Sequence, residues 1–497
     1  MNTVTSESKG LSGLTWWSFV TLIAAIPVWI VVVRSAVLSR VVDGGIWLSV
    51  SAGVADGLTP YEQVWDHKDP LFYGVMAAAT LVSPSVAFFL DIGWFVVAGV
   101  GAGLLARSVM SADRAFFVGV VVAPLVLLGP SYVPGWTNTP GTALVLMTVG
   151  LFARRLPIGA GLAAGLLAFI KLPTFPLAAG ALALAVLLAP WRTAALRAIA
   201  AMFAAMGGVA VVLVLLGWFR GALDSVLFNR AYASEVATYF GYEPSVVSRL
   251  ARALGDWSSS IVVSAAISLA ATLIVAVVWL AVGRLRSAER SLLAVWGVFL
   301  WAGTLLIIGL TYVWPHHAQQ LALPTVVSVV LLAGTVPQRW VFPAFIALVL
   351  VVAFVVSGWG SWRAAQDAWA QRSSDFDVKV AQISEVPLDA RLLASVPLSD
   401  FTYARLGSND DRGFLGAVRD DAVLACPKFH TYDFSPPEVF AETLECIQGV
   451  DVVLVTDAFT VFGGSSRAPY ALPVLDYVNA NFNCLRIDDR QVCTRNR

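Results

Sequence analysis

The residues best suited to chemistry form a dense polar run, residues 66–69 with the sequence DHKD, between two apolar stretches. Asp43 lies upstream, directly after the first long apolar stretch, where partial desolvation raises a carboxyl pKa towards that of a useful base. Lys68 precedes Pro70 and the start of another helix, where an ammonium and free backbone N–H groups can hold an anion together. These residues predict a general base beside an anion-binding group. A solvated loop of paired charges is the plainer alternative.

The segment before this polar run has the spacing of an amphipathic helix. Trp47, Val50 and Val54 recur on one helix face, and Gly57 with Pro60 ends the element. Such a helix is predicted to lie at a membrane surface. A second apolar element begins at residue 70 and is too short to span a bilayer before the next long stretch.

The composition excludes a soluble enzyme. The chain has 497 residues, of which 58% are hydrophobic and 13% charged, with a mean hydropathy of +0.78. Ordinary globular chains are about 25% charged. The 32 basic residues balance the 32 acidic ones, and no basic run could neutralise a phosphate backbone at many points. Nucleic-acid binding is therefore disfavoured.

Apolar stretches of spanning length predict a polytopic α-helical membrane protein with about eleven transmembrane helices, since each crossing takes about 20 residues. They fall at residues 15–38, 85–106, 114–130, 139–153, 157–171, 173–190, 196–219, 258–282, 291–310, 317–335 and 340–358. Arginines mark every second connection, and the positive-inside bias makes these connections cytoplasmic. The first residues, 1–14, are predicted to be a cytoplasmic N-terminus. The expected location is the plasma (inner) membrane.

This orientation divides the chain into two parts. A transmembrane domain is predicted over residues 15–359, with outer loops at 39–84 and 220–257. A small extracytoplasmic α/β domain is predicted over residues 360–497, from strand patterns at 422–426 and 451–459, a helix at 436–449 and a final hairpin. Capping of the outer mouth of the membrane part is its expected role, and sugar binding is the alternative.

All four cysteines lie in this tail, at Cys426, Cys446, Cys484 and Cys493. Disulfides persist in oxidising compartments, so the cysteine placement agrees with an extracytoplasmic tail. We favour the pairs Cys426–Cys446 and Cys484–Cys493, the second closing a hairpin that turns at residues 488–489. Four free buried thiols are the alternative.

Several segments, in order, resemble the C-type (GT-C) superfamily of integral membrane glycosyltransferases. The first combines the acid after the first span, Gly-x-x-Pro-Tyr ending at Tyr61, and Trp-Asp-x-Lys-x-Pro-Leu over residues 65–71. Relatives usually read Lys-Pro-Pro where this chain has Lys68-Asp69-Pro70. The other segments are WTNTPG (136–141, with Pro140 where the family has an acid), GLAAGLLAFIKLPTFPL (161–177) and TYVWPHHAQQLALP (311–324).

This resemblance covers roughly residues 15–335. It is to bacterial lipid-linked sugar transferases of the protein mannosyltransferase-like and aminoarabinose transferase-like kind. An Rgt-like branch and an actinobacterial cell envelope are the narrower expectations. The process expected for this protein is cell-wall biogenesis.

The resemblance implies an inverting glycosyltransferase that moves a sugar from a polyprenyl-phosphate donor to an extracytoplasmic glycan, glycolipid or protein. Asp43 matches the family's catalytic base, and Lys68 matches the lysine that neutralises the donor phosphate. Asp66 is the second-choice base. The substrate-binding candidates are Tyr61, Asp66, His67, Asp69, Asn138, Lys171, His316 and His317. No cofactor is expected.

A metal is not expected either. Asp43, Asp66 and Asp69 could supply oxygen ligands to a divalent cation. The first outer loop nevertheless contains no Asp-x-Asp pair, and the resemblance is to the metal-independent branch. Adjacent histidines such as His316 and His317 point in different directions on a helix, which disfavours a two-ligand metal site.

For three features of the sequence, a purely structural role is the alternative to a functional one. Lys171, at the outward end of a span, is either a functional group or a lysine that snorkels to water. One of the two histidines contacts the donor phosphate, or both pack at the interface. The aromatic residues of loop 220–257 either anchor it at the membrane surface or form a lid over the donor lipid.

Two other function classes compete with the enzyme. A transporter or lipid-linked sugar flippase also has many spans and few charges, but transporters usually place ionisable and helix-breaking residues at the bilayer midplane in matching halves. Here the polar residues cluster on one face, and no internal repeat is evident. The other class is a non-catalytic membrane scaffold that presents its tail domain. This hypothesis does not explain the polar loop from Asp43 to Pro70.

Overall fold

The computed structural model describes residues 16–38, 47, 50–51, 53–55, 57–61, 68–82, 84–128, 137–227, 245, 287–311, 319–335, 403–406, 426, 437–456, 468–487 and 490–496. These ranges contain a helical bundle and a smaller α/β unit. The spans predicted at 258–282 and 340–358 lie outside the described residues, as does the boundary predicted near residue 360.

The helices of the bundle follow the predicted apolar stretches. They are α1 (Trp16–Leu38), α2 (Pro70–Val82), α3 (Pro84–Arg107), α4 (Ala112–Phe117), α5 (Ala123–Leu127), α6 (Asn138–Ala153), α7 (Pro157–Ile170), α8 (Phe175–Leu187), α9 (Arg192–Leu215), α10 (Ala288–Thr311) and α11 (Ala322–Thr335). A π-helical segment, Val118–Val122, joins α4 to α5, and short 3-10 turns lie at Leu172–Thr174 and Ala189–Trp191. Residues 219–227 are also helical.

Length and composition allow several of these helices to cross a membrane. Among the described residues, the segments Phe89–Arg107, Ala189–Leu215 and Ala288–Leu310 are long and apolar enough to do so. Further apolar helices of 10–17 residues accompany them, including α2, α6 and α7. The chain is a polytopic helical membrane protein. The count of eleven spans stays a prediction.

Glycines bring the helix backbones of the bundle into contact. A Cβ added at Gly101 in α3 would lie 2.5 Å from the backbone of Leu146 in α6, and one at Gly150 would collide with the carbonyl of Gly101. In the same way, α7 places Gly161 against the backbone carbonyl of Ala198 in α9. Small residues allow this close approach, which drives helix association where lipid offers no hydrophobic gain.

Replacing Gly150 with alanine is expected to destabilise the bundle by about 1–3 kcal/mol, because the added methyl group overpacks a backbone contact. The matched control is Gly207→Ala in α9, where an added Cβ meets nothing within 4 Å. Thermal unfolding of both variants in detergent measures the difference. Equal unfolding midpoints for the two variants would contradict this packing.

One end of the bundle is held by aromatic and charged contacts. The Arg155 guanidinium lies 3.3 Å from the Glu289 carboxylate and 4.5 Å from the centre of the Trp191 ring. The Trp191 indole N–H also donates to the carbonyl of Ala288 at 3.2 Å. These contacts join the α6–α7 and α8–α9 connections to the start of α10. The arginine-marked connections at these positions therefore meet at one end of the bundle.

The C-terminal part contains a mixed four-stranded sheet with strand order β1-β2-β4-β3. The strands are β1 (Tyr403–Leu406), β2 (Val452–Thr456), β3 (Phe482–Ile487) and β4 (Arg490–Arg495), with helices α12 (Pro437–Ile447) and α13 (Ala468–Asn481). β1 is parallel to β2, and β4 is antiparallel to both β2 and β3. Phe440, Val453 and Val478 lie in a core that belongs to this part.

Sequence reasoning located most of these elements. The predicted helix at 436–449, the strand at 451–459 and the final hairpin correspond to α12, β2 and the β3–β4 pair. It missed β1 and α13. The strand predicted at 422–426 lies outside the described residues except for Cys426.

Both favoured disulfides are present. Cys426 is bonded to Cys446 across a Cα–Cα distance of 5.6 Å, and Cys484 is bonded to Cys493. The second pair joins directly opposed residues of β3 and β4, and the ladder closes with Ile487 paired to Arg490. The turn predicted at 488–489 lies between these paired residues, outside the described residues.

Non-reducing peptide mapping of the purified full chain is expected to recover two linked peptide pairs, Cys426 with Cys446 and Cys484 with Cys493. The register of β3 and β4 brings the second pair together, and the core brings Cys426 against α12. Recovery of crossed pairs, or of free thiols in the non-reduced protein, would contradict this arrangement.

Candidate active site

The helix that leads into the polar run ends at Gly57, as its sequence predicted. Trp47 and Val50 are buried in helical backbone. Gly57 has a φ of +92°, and the N–H of Leu58 donates to the carbonyl of Gly53 at 2.9 Å. A left-handed glycine after the last turn is a common helix C-terminus, because glycine has no Cβ to oppose it. The chain then turns towards Tyr61.

Tyr61 forms a hydrogen bond to the backbone of Lys68. Its backbone adopts a φ of +72°, and its hydroxyl donates to the backbone carbonyl of Lys68 at 2.6 Å. Its side chain packs against Gly221, where an added Cβ would lie 2.7 Å from the Cβ of Tyr61. Tyr61 therefore acts within the loop, and its predicted contact with substrate stays a prediction.

The Lys68 side chain lies beside an aromatic surface. Its Nζ is 5.5 Å from the centre of the Trp47 ring, and Trp47 in turn meets Phe72 of α2 edge to face at 5.5 Å. A ring face attracts an ammonium electrostatically. Trp47 thus lies in contact with α2 and beside Lys68, which is only partly buried.

Asp69 and Lys171, far apart in sequence, interact electrostatically near the break between α7 and α8. The Asp69 carboxylate accepts a hydrogen bond from the backbone N–H of Leu172 and interacts electrostatically with Lys171 and Lys68. The Lys171 Nζ donates to Thr137 Oγ1 at 2.9 Å. One carboxylate therefore interacts electrostatically with two ammonium groups that come from different parts of the chain.

The start of α6 accommodates this arrangement because it lacks side-chain bulk. A Cβ added at Gly141 would lie 3.1 Å from the Cβ of Lys171 and 2.9 Å from Thr174 Oγ1. The Thr174 hydroxyl donates to the carbonyl of Lys171 at 2.9 Å. The backbone of the break and the N-terminal turn of α6 are in contact here.

Burial changes the acidity of both partners. Burial raises the pKa of the Asp69 carboxyl, against the opposing effects of Lys171, the Leu172 N–H and Lys68. The pKa of Lys171 is lowered to about 8, chiefly by burial and also by the charge of Lys68, against the opposing effect of Asp69. Desolvation disfavours the charged form of each group. An incoming anion would stabilise the charged form of Lys171.

Other predicted residues lie nearby or are not described. Asn138 begins α6 and is fully buried, next to Thr137. Gln319, before α11, donates from Nε2 to Thr139 Oγ1 at 3.0 Å. Asp43, Asp66, His67, His316 and His317 lie outside the described residues, so their roles stay predictions. In the described ranges, no three His, Cys, Asp or Glu side chains come together.

The sequence predicted Lys68, Asp69 and Lys171 as separate site residues, and it did not predict the groups that these side chains contact. Thr137, the Leu172 N–H and the Trp47 ring were not expected to contact them. A weak signal existed for two of these. Thr137 directly precedes the predicted Asn138, and Leu172 follows the predicted Lys171.

The described residues define a polytopic helical membrane protein with a charged site beside the break between two of its helices. No protein-family model matches the chain, and no curated protein matches it in sequence. Among solved structures, its fold is similar to that of ArnT from Cupriavidus metallidurans bound to undecaprenyl phosphate, with a TM-score of 0.55 and 14% identity. The match covers 96% of this chain and 97% of that one.

Proposed function

We propose that this protein is an inverting GT-C glycosyltransferase that takes its sugar from a polyprenyl-phosphate donor. The observation that carries the proposal is the position of Lys68 at the start of α2, with its ammonium 5.5 Å from the centre of the Trp47 ring, since an ammonium beside a helix N-terminus suits an anionic phosphate. Lys171 and Asp69 interact electrostatically with it. The similar solved structure holds undecaprenyl phosphate, which supports a lipid phosphate as the anion. The motifs that resemble the superfamily include the segments that contain Lys68 and Lys171.

The chemistry requires a base and an electrostatic partner for the leaving group. In the proposed reaction Asp43 accepts the proton of the acceptor hydroxyl while that oxygen attacks the anomeric carbon. The bond from this carbon to the phosphate oxygen breaks, and the lipid phosphate leaves with the electron pair. Lys68 stabilises the charge that develops there. A phosphate is already a weak base, so no general acid is needed, and one displacement inverts the anomeric carbon.

The topology supports a site at the outer membrane face. The arginine-marked connections meet at one end of α8, and Lys171 lies at the other end of this helix. Under the positive-inside bias the arginine end is cytoplasmic. Lipid-linked sugars, not nucleotide sugars, are available on the other side, so the acceptor is an extracytoplasmic glycan, glycolipid or protein.

The test is transfer of radiolabelled sugar from a panel of polyprenyl-phosphate sugars by the purified full chain in lipid. Crude cell envelope supplies the acceptor. Donor consumption that requires Asp43 supports the proposal and identifies the sugar. If no donor is consumed while labelled lipid crosses the bilayer, the protein is a flippase and the outer residues form a substrate gate.

A further inference from the structure

Gln319 is a polar side chain that is buried where three helices of the bundle come together. It lies shortly before α11 and is only 4% exposed. Its Nε2 donates to Thr139 Oγ1 at 3.0 Å and to the backbone carbonyl of Leu127 at 3.4 Å. Leu127 ends α5, and Thr139 lies in the first turn of α6. One carboxamide therefore joins the end of α5, the start of α6 and the segment that leads into α11.

These hydrogen bonds require the amide group of Gln319. An amide nitrogen carries two hydrogens, so it can make both bonds at once. The Thr139 hydroxyl also donates to Gln319 Oε1 over a longer distance of 3.5 Å. Thr139 is fully buried, and a buried polar group that loses its partner cannot turn to water instead. Loss of the amide would therefore leave polar groups of α5 and α6 without this partner in an apolar interior.

The first turn of α6 lacks the local hydrogen bond that usually fixes a helix start. A threonine directly before a helix commonly accepts from an N–H of the first turn. The Thr137 side chain makes no such capping bond to α6, and its Oγ1 accepts instead from Lys171 Nζ at 2.9 Å. Pro140, also in the first turn, has no N–H to donate. The position of this turn therefore depends on contacts with other segments of the chain.

Two of these contacts lie on opposite sides of α6. On one side, a Cβ added at Gly141 would lie 3.1 Å from the Cβ of Lys171 and 2.9 Å from Thr174 Oγ1. Successive residues of an α-helix are rotated by about 100°, so Thr139 and Gly141 point about 200° apart. Gln319 therefore holds the first turn of α6 from the side opposite Lys171.

We propose that Gln319 is a positioning residue of the candidate active site, acting on Lys171 through the first turn of α6 and the hydroxyl of Thr137. The inference rests on the proposed function, because Lys171 takes part in the reaction only as a substrate-binding residue of that enzyme. If the first turn shifts, the acceptor of Lys171 Nζ shifts with it and the ammonium loses its orientation. A misplacement of about 1 Å can cost as much as about 10²-fold in rate.

The experiment measures sugar transfer from the labelled polyprenyl-phosphate donor by the full chain in lipid, well below the unfolding temperature of each variant. Gln319→Met keeps a side chain of similar length and removes its hydrogen bonds. Its kcat/KM for the donor is expected to fall roughly tenfold. The loss should lie mainly in KM, because a misplaced ammonium weakens the donor complex and the transition state alike.

The matched control is Thr148→Val, further along α6. The Thr148 hydroxyl is buried and donates to the carbonyl of Leu144 in its own helix at 2.8 Å, so it holds no other segment. Its kcat and KM are expected to match wild type. A tenfold loss in this control as well would show that transfer responds to any lost buried hydroxyl of α6, and would contradict the specific role of Gln319.

Two substitutions of Thr139 test the same contact from the other partner. Thr139→Val removes the hydroxyl and is expected to raise the donor KM as Gln319→Met does. Thr139→Ser keeps the hydroxyl and should retain most of the wild-type kcat/KM. This pair also decides the matter if Gln319→Met does not fold. Equal rates for the valine and serine variants would contradict the proposed contact.

A double-mutant cycle separates positioning from general stabilisation. Thr137→Val removes the acceptor of Lys171 Nζ and is expected to lower kcat/KM roughly tenfold. If Gln319 acts through Thr137, adding Gln319→Met to this variant should lower kcat/KM by less than about twofold further, because residues that act through one network are not additive. A full further tenfold loss would show an independent structural role and overturn the positioning role.

The outcomes distinguish this inference from the proposed function. Absence of transfer by the wild-type protein overturns both. Wild-type transfer that Gln319→Met and Thr139→Val leave unchanged overturns the inference while the proposed function stands. Wild-type transfer that Lys171→Gln leaves unchanged does the same, because Gln319 would then have no site residue to position.

Discussion

Lys68→Ala is expected to lower sugar transfer more than tenfold, a loss of about 1.4 kcal/mol or more in transition-state stabilisation. In the proposed reaction the lysine stabilises the leaving phosphate, whose negative charge grows as the bond to the sugar breaks. The loop would keep its shape, because Tyr61 bonds the backbone carbonyl of Lys68 and not its side chain. Initial rates of transfer from the labelled donor measure the effect.

The control for this variant is Arg192→Ala, which removes an exposed cation at the start of α9, in the connection that follows α8. Its rate is expected to match wild type. Lys68→Arg keeps the charge and should recover part of the lost rate, although its planar group replaces a point charge. Near-wild-type turnover in Lys68→Ala would remove the proposed role of this lysine.

Asp43→Asn is expected to have the larger effect, lowering kcat by about 10²–10⁴-fold, the usual range for loss of a general base. Asparagine has a similar shape and cannot accept the proton of the acceptor hydroxyl. Binding of undecaprenyl phosphate should stay within a few-fold of wild type, because Lys68 and Lys171 are unchanged. Single-turnover transfer and lipid binding, measured on the same preparation, separate the two steps.

Asp113→Asn in the first turn of α4 is the matched control for this carboxylate. Asp113 lies outside the candidate site, so transfer should be unaffected. If Asp43→Asn retains wild-type kcat while Asp66→Asn loses it, the base is Asp66, the second choice from the sequence. Retention of activity in both variants would exclude a carboxylate base from this loop.

Hydropathy and turn residues made much of the fold predictable from the sequence. Helix bounds such as Pro84–Arg107 and Asn138–Ala153 lie within a few residues of the predicted stretches. Gly57 ends its helix, and β3 pairs with β4 as the predicted hairpin requires. These features depend on side-chain periodicity and on backbone conformations that neighbouring residues determine by themselves.

The C-terminal part shows where such reasoning fails. β1 has only four residues, and its partner β2 lies far along the chain. Its strand conformation is stabilised by pairing with β2, which a local pattern does not reveal. The helix α13 contains Pro473, and proline inside a helix argues against a helical prediction. Packing against α12 and the sheet outweighs that preference.

By itself, the sequence determined the membrane class of this protein, most helix bounds and the identity of its candidate charged residues, and it favoured the two disulfide pairs that the structure contains. Only the tertiary structure decided that Asp69 interacts with Lys171 and Leu172, and that Trp47 lies beside Lys68. The reason is physical. Periodicity and turn chemistry act within a few residues, whereas the position of Lys171 beside Thr137 depends on close packing at Gly141, where an added Cβ would lie 3.1 Å from the Cβ of Lys171. Such packing brings together groups that the chain itself keeps far apart.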